Sequence, residues 1–217
     1  MKSVIFIAPP AAGKGTQSSI LMENYGYTHI STGDMLREEI SNNTSLGVKA
    51  NEIMTKGGLV DDEIIIGMVE NKLNSVKGKP FILDGFPRTL NQAKALDSLL
   101  AKLNIDDVKV IYIDLDLETA LKRTLGRVTC TKCGASFNLN NPDCMPKVKG
   151  ICDNCQGELI VRGDDNEESF RNRFETFVNN TKPIVDYYKE QNNLVIIEPN
   201  NDKMVVATRI KEILDCK

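Results

Sequence analysis

Three groups of residues in this 217-residue chain have the types and spacing to do chemistry. Cys130-Thr131-Lys132-Cys133 and Cys152-Asp153-Asn154-Cys155 are two Cys-x-x-Cys knuckles at zinc-ribbon spacing, able to set four thiolates tetrahedrally about one Zn²⁺. Four thiolates would close the coordination sphere and make the metal structural. A redox pair, or iron on the same ligands, is the alternative chemistry. The second group is the turn Ala8-Pro9-Pro10-Ala11-Ala12-Gly13-Lys14-Gly15-Thr16. An apolar run (Val4 to Ile7) precedes it and a helical pattern begins near Lys14. A strand, a turn and a helix start, in that order, make a phosphate site from unpaired N–H groups, the helix dipole and a lysine. The general phosphate-loop pattern has Gly where Ala8 stands and Ser or Thr where Gly15 stands. The third group is basic: Arg37, Arg88, Arg123, Arg127, Arg162 and Arg173 fall at helix starts, strand ends and the borders of the cysteine segment. Arginines gathered at the mouth of a lysine-bearing loop are what phosphoryl transfer requires, because charge spreads over the equatorial oxygens of the moving group.

The elements that must position these groups follow from periodicity. Apolar runs at 4–7, 81–83, 108–113 and 194–197 read as strands, the one at 81–83 lacking alternation as strands buried on both faces do, and Thr28-His29-Ile30 reads as a further short strand. Two of them end in a carboxylate, Asp84 and Asp114; Asp114 reads as a solvated strand-end acid. Helical patterns intervene from Lys14, from Met35, at about 46–56, from Ile64, and at about 90–103, 117–126 and 204–214. Strands alternating with helices predict an open parallel α/β sheet of five strands with helices on both faces. Ligands in such sheets sit outside the carboxyl ends of the strands, where the Ala8–Thr16 turn, Asp84 and Arg88 all fall. Two segments interrupt the rhythm. Residues 31–60 read as a small helical subdomain, and 127–163 as the metal-binding insertion, so the core is expected over 1–30, 61–126 and 164–217. His29, the only histidine, reads as structural, and Cys144 and Cys216 as spare thiols.

Composition narrows the function. A formal charge of −3 gives no general reason to expect a nucleic-acid or anionic-membrane partner. No apolar run approaches the length of a membrane span. The first strand begins almost at Met1, which leaves no room for a cleaved targeting peptide, so a cytoplasmic location is expected. A zinc-ribbon nucleic-acid-binding protein is the rival class. The insertion's Lys132, Lys147 and Lys149 are offset by Asp143 and Asp153, and its only aromatic is Phe137, which argues against it.

Gly13-Lys14-Gly15-Thr16-Gln17, Ser31-Thr32-Gly33-Asp34-Met35-Leu36-Arg37 and Asp84-Gly85-Phe86-Pro87-Arg88-Thr89, followed by Gln92-Ala93, resemble an adenylate kinase in order and spacing. The resemblance spans essentially the whole chain and is to the long form with a zinc-binding lid. It implies reversible Mg²⁺-dependent transfer of the terminal phosphoryl group of ATP to AMP, giving two ADP, by a monomer. Ala11, Ala12, Gly13, Lys14, Gly15 and Thr16 would hold the ATP phosphates. Arg127 would stack near the ATP adenine, and Ser136 and Phe137 match lid positions that contact that nucleotide. Lys203 aligns loosely with a late backbone contact to adenine, the tail around Pro199 being one residue longer than the usual pattern. Thr32, Arg37, Gly58, Leu59, Val60, Gly85, Phe86, Pro87, Arg88 and Gln92 would hold AMP. Lys14, Arg88, Arg123, Arg162 and Arg173 would surround the moving group, with Arg162 and Arg173 reaching AMP as well. Asp84 would order Mg²⁺ through water, Asp164 and Asp165 match the acids on the hinge side of the lid, and Cys130, Cys133, Cys152 and Cys155 would hold zinc. The family's own pattern reads Gly-Lys-Gly-Thr, so Gly15 is in place. Ala8 and Ala11 stand where the family has Gly, which keeps a weakly active or regulatory relative as an alternative, beside a kinase using GTP as donor.

Overall fold

The computed structural model describes residues 2–76, 78–198 and 202–215. Cys216 and the Pro199–Asn201 stretch of the tail lie outside the described residues. Five strands form one parallel sheet: β1 (Ser3–Ile7), β2 (Thr28–Ser31), β3 (Phe81–Asp84), β4 (Val108–Ile113) and, late in the chain, Leu194–Ile197. The last is β8 in chain order, and the sheet order is β2-β3-β1-β4-β8. Central β1 pairs with β3 on one side (Phe6 beside Asp84) and β4 on the other (Ile7 beside Tyr112). The chain leaves β1 toward β2 on one side and leaves β3 toward β4 on the other, so a crevice opens at the carboxyl ends of β1 and β3.

The sequence of β1 shows why both faces must be covered. Ile5 and Ile7 pack into one buried cluster with Leu83, Phe81, Val110 and Tyr112. Val4 and Phe6 pack into a second with Ile82, Ile111 and Ile113. Alternate residues point to opposite faces of a strand, so a continuous apolar run feeds two cores. Helices α4 (Asp62–Ser75) and α5 (Leu90–Lys102) cover the first face, through Val69, Leu73, Leu96 and Leu99. Helix α1 (Lys14–Tyr25) and the C-terminal helix Lys203–Asp215, α9 in chain order, cover the second, through Leu21, Val206 and Ile210. Each large side chain so buried contributes roughly 1.5–3 kcal/mol. The apolar spacing of α1 suggests a face through Ile20, Leu21 and Tyr25. The buried face is instead Gln17, Ser18 and Leu21, because the first turn seats its polar residues under the loop after β1.

Between β2 and α4 lie two helices, α2 (Thr32–Ser41) and α3 (Ser45–Thr55), each with a hydroxyl cap. Ser31 Oγ accepts from Asp34 N at 3.2 Å and Thr44 Oγ1 from Gly47 N at 2.9 Å. After α6 (Leu117–Leu125) the cysteine segment forms a separate three-stranded antiparallel sheet of β5 (Arg127–Cys130), β6 (Ser136–Asn138) and β7 (Leu159–Ile160), in the order β6-β5-β7. Its core is Val128, Cys130, Cys152 and Leu159. The chain then returns through α7 (Glu167–Thr176) and α8 (Lys182–Glu190). A π-helical turn, Phe177–Thr181, joins them, and Lys182 N–H donates five residues back to Phe177 O. Pro183, inside the first turn of α8, accounts for the wide turn: its ring has no N–H and would collide with a carbonyl four residues back.

Candidate functional site

A cleft of about 380 Å³ opens at the carboxyl end of β1, and its wall collects residues from every part of the chain. The loop after β1 supplies Ala11 to Thr16, and β3 ends in it at Asp84. Six arginines from six different segments line it: Arg37 (α2), Arg88 (loop after β3), Arg123 (α6), Arg127 (β5), Arg162 (after β7) and Arg173 (α7). Ser136 and Phe137 of β6 and Lys203 of α9 close the far end.

The phosphate-type loop is held from within. Lys14 Nζ donates to Ala8 O at 3.1 Å and Pro9 O at 3.4 Å, which folds the side chain back over the loop. Burial lowers its ammonium pKa to about 8; Asp84 opposes that shift, while Arg88, Arg173 and Arg127 add to it. The two alanines that stand where the resembled family has glycine differ in kind. Ala11 takes a left-handed backbone, φ 59°, where an L side chain is disfavoured, whereas Ala8 is a buried packing residue of the second core.

Asp84 is a carboxylate held among cations. Burial pushes its pKa up, but the His29 contact, Lys14 and Arg88 together outweigh this and hold it below the usual carboxylate range. His29 Nε2 lies 3.4 Å from Asp84 Oδ2, so the histidine that reads as structural is part of the cleft wall. Gly85, at φ 77°, turns the chain directly after β3; a Cβ there would lie 2.7 Å from the Arg88 guanidinium and 3.0 Å from Thr32 Oγ1. That close approach lets Gly85 O accept from Thr32 Oγ1 and from Arg88 Nε, each at 2.7 Å.

The arginines are poised by carboxylates and by one another. Arg127 grips Asp165 with both Nε (2.7 Å to Oδ2) and Nη2, and the Asp165 side chain is fully buried. Arg173 donates to Asp164 at 2.9 Å, and Arg37 pairs with Asp34. Arg162 Nε donates to Thr129 Oγ1 at 3.1 Å. Burial, then the neighbouring Arg173, lowers the pKa of Arg88 to about 10; burial and Arg127 do the same to Arg162. Buried guanidinium groups this close together, with repulsion added to burial, fit a polyanion, whose charge would relieve both.

In the antiparallel module the four cysteine sulfurs lie within 4.8 Å of one another. Cys130 and Cys155 Sγ are 3.5 Å apart and Cys133 and Cys152 Sγ 3.6 Å, close to the edge of about 3.8 Å implied by tetrahedral Zn–S bonds. Gly157 leaves the room: a Cβ there would come within 2.8 Å of Cys130 Sγ. The donor set and its spacing fit a tetrahedral thiophilic ion.

A family model described as adenylate kinase matches residues 6–193. The adenylate kinase of Desulforamulus reducens is 45% identical over 207 residues, covering 94% of this chain and 95% of the relative. That of Archaeoglobus fulgidus is 45% identical over 214 residues, 98% of each chain, and that of Clostridium tetani 41% over 213 residues, again 98% of each. The chain belongs to the adenylate kinase family. Against the family pattern, the structure brings Lys14, Asp84, Gly85, Gly58 and all six arginines into the one cleft. Other residues expected at the AMP site stand behind its wall. Val60, Phe86, Thr32 and Gln92 are buried, and Leu59 and Pro87 line a smaller adjoining cavity. Gln92 is engaged by the protein at both ends: its Oε1 accepts from Arg88 N, and its Nε2 donates to Asp62 Oδ1, each at 2.7 Å. Arg171 lies on the outer face of α7, paired with Glu167. Tyr112 Oη donates to Asp114 at 2.7 Å, so that strand-end acid has a protein partner.

The sequence reading missed several cleft residues. Gln17 is buried and donates through Nε2 to Lys203 O at 3.0 Å, joining the loop helix to α9. Met54, Asn138, Asn141 and Cys144 also line the wall. Gln17 stands inside the motif that begins at Gly13, but nothing in it announces the contact with Lys203. No local motif flags the others, because their place follows from how distant segments pack.

Proposed function

We propose that this protein catalyses reversible phosphoryl transfer from ATP to AMP, giving two ADP. The observation that carries the reading is the convergence of Lys14 and six arginines on one cleft at the carboxyl end of β1. Residues 11–16 hold the donor phosphates through their N–H groups and the start of α1, and Lys14 bridges toward the transferred group. Arg37, Arg88, Gly58 and Gly85, which face the cleft, hold AMP, and Thr32, Leu59, Val60, Phe86, Pro87 and Gln92 shape that end of the site from behind its wall. Arg88, Arg123, Arg162 and Arg173 surround the moving group and neutralise charge as it spreads over the equatorial oxygens. AMP's phosphate is itself the nucleophile, so the residues position and neutralise; none needs to act as a strong base.

Water is the competing acceptor. Segment 31–60 carries Arg37 and segment 127–163 carries Arg127 and Arg162, so their closure over the cleft brings the arginines in while excluding water. Asp84, ionised beside Lys14, fits a carboxylate that holds the water shell of Mg²⁺, which supplies further charge neutralisation when bound with ATP. The four cysteines would hold Zn²⁺ in a structural role, fixing the small module as a unit.

The test is a coupled assay of ADP formation with Mg²⁺, run with ATP or GTP as donor and with AMP omitted as control. ADP formed only when ATP and AMP are both present supports the reading. Equal turnover without AMP would show a hydrolase and overturn it, and faster turnover with GTP would overturn the donor assignment.

A further inference from the structure

Arg88 is the cleft arginine whose backbone is pinned on both sides by buried side chains. Gln92 Oε1 accepts from its N–H at 2.7 Å, and Thr181 Oγ1 donates to its carbonyl at 2.9 Å. Gln92 and Thr181 are 2% and 6% exposed, so neither bond is shared with bulk water. Gly85 O takes the Arg88 Nε proton, which leaves the two terminal nitrogens of the guanidinium as the end turned toward the cleft.

The Thr181 contact depends on an unusual piece of backbone. A threonine inside an α-helix normally turns its hydroxyl back onto the carbonyl four residues earlier, as Thr176 does, donating to Asn172 O at 2.8 Å. Thr181, five residues on, does not. It ends the π-helical turn Phe177–Thr181, where Lys182 N–H reaches back to Phe177 O and Pro183 bars regular α-geometry. Across that turn the hydroxyl faces the loop after β3, 93 residues away in sequence, and meets Arg88 O. The same turn borders the smaller cavity lined by Pro87, Arg88, Arg173 and Lys14, so it lies directly behind the cationic wall.

We propose that Thr181, presented by the Pro183-dependent π-turn, is a positioning residue for Arg88. Its hydroxyl fixes the Arg88 peptide so that the guanidinium meets the moving phosphoryl group in one place. The proposal rests on the reading of Arg88 as a group that contacts transferred phosphate. An error of about 1 Å at the reacting group can cost a hundredfold in rate; the Nε contact with Gly85 O restrains the side chain, and the Gln92 and Thr181 contacts fix the backbone from which it projects. The hydroxyl touches no substrate, so its loss acts on kcat through Arg88 and leaves ATP binding at the loop after β1 in place.

The test compares Thr181→Val, which keeps shape and removes the hydroxyl, with Thr181→Ser, which keeps the hydroxyl and removes the methyl. Arg88→Lys is measured alongside, with kcat, both KM values and the melting temperature of each variant. Expected is a fall in kcat of roughly tenfold or more for Thr181→Val, with KM for ATP within twofold, and near-complete recovery for Thr181→Ser. Pro183→Ala, which lets the turn relax to α-geometry, should lower kcat in the same direction. A Thr181→Val protein with unchanged kcat overturns the proposal. So does equal loss in the valine and serine variants, since that would mark the residue as packing alone. If Arg88→Lys collapses kcat while Thr181→Val does not, the positioning role fails and the reading of Arg88 stands. If Arg88→Lys is fully active, the reading of Arg88 fails and the role of Thr181 falls with it.

Discussion

The parallel sheet and the cysteine module are held together by different means. In the sheet, each strand residue faces a helix-covered cluster, and side chains such as Ile5, Phe6, Ile82 and Val110 are almost wholly buried. In the module, the buried cluster is Val128, Leu159 and two of the four clustered cysteines, Cys130 and Cys152. Apolar burial at roughly 1.5–3 kcal/mol per large side chain is ample for the first and thin for the second. The core has ample hydrophobic surface of its own, whereas the module has little and would gain from an ion held by its four clustered cysteines. The lining of the cleft is divided the same way: the core supplies the loop with Lys14 and Asp84, and the module supplies Arg127, Arg162, Ser136 and Phe137.

The most direct way to break that contrast is to remove the metal. Chelation of Zn²⁺, or Cys152→Ser, is expected to lower the melting temperature by about 10 °C or more, the module losing amide protection first while β1 and β4 keep theirs. Metal analysis and hydrogen exchange check this; equal protection in both regions after zinc removal would contradict it. The converse comes from the core's functional lysine. Lys14→Met should lower kcat by a factor of about 10²–10³ with little change in melting temperature, because among the described residues Lys14 bonds to the loop carbonyls of Ala8 and Pro9 and belongs to none of the core clusters.

A smaller effect is expected from pH. The pKa of Lys14, lowered to about 8 in the empty cleft, must rise when a polyanion binds. Binding then takes up a proton, and ATP affinity falls as pH rises above about 8, by at most tenfold per pH unit. Calorimetry at pH 9 in two buffers of different ionisation enthalpy measures the uptake; none would place the titration elsewhere. The smallest change concerns Ala11 and its left-handed φ of 59°. Ala11→Gly relieves roughly 1–2 kcal/mol of strain and gives back part of it as chain entropy. A rise in stability of at most about 1 kcal/mol is expected, with ATP affinity equal or tighter; a clear loss of affinity would show a loop tuned to its alanine.

Much of this was legible in the sequence because it is local. The turn ending Gly13-Lys14-Gly15-Thr16, the apolar run closed by Asp84 and the two Cys-x-x-Cys knuckles each declare their chemistry within a few residues. The five parallel strands followed from the same local pattern. What escaped lies between distant segments. His29 meets Asp84 because β2 and β3 pair in register, with Ser31 opposite Asp84. Gln17 reaches Lys203 across 186 residues, and Thr181 reaches Arg88 across 93. Periodicity has no signature for the π-turn before Pro183 or for the hydroxyl it redirects. The buried placement of Gln92 and Val60 likewise depends on packing that no spacing rule encodes.

The central claim is transfer between two nucleotides with water excluded, and phosphorus NMR of the whole mixture tests it most directly. With Mg²⁺, ATP and AMP, the account predicts equal loss of ATP and AMP, two ADP formed for each pair, and no build-up of inorganic phosphate. Inorganic phosphate released while AMP stays constant would contradict it.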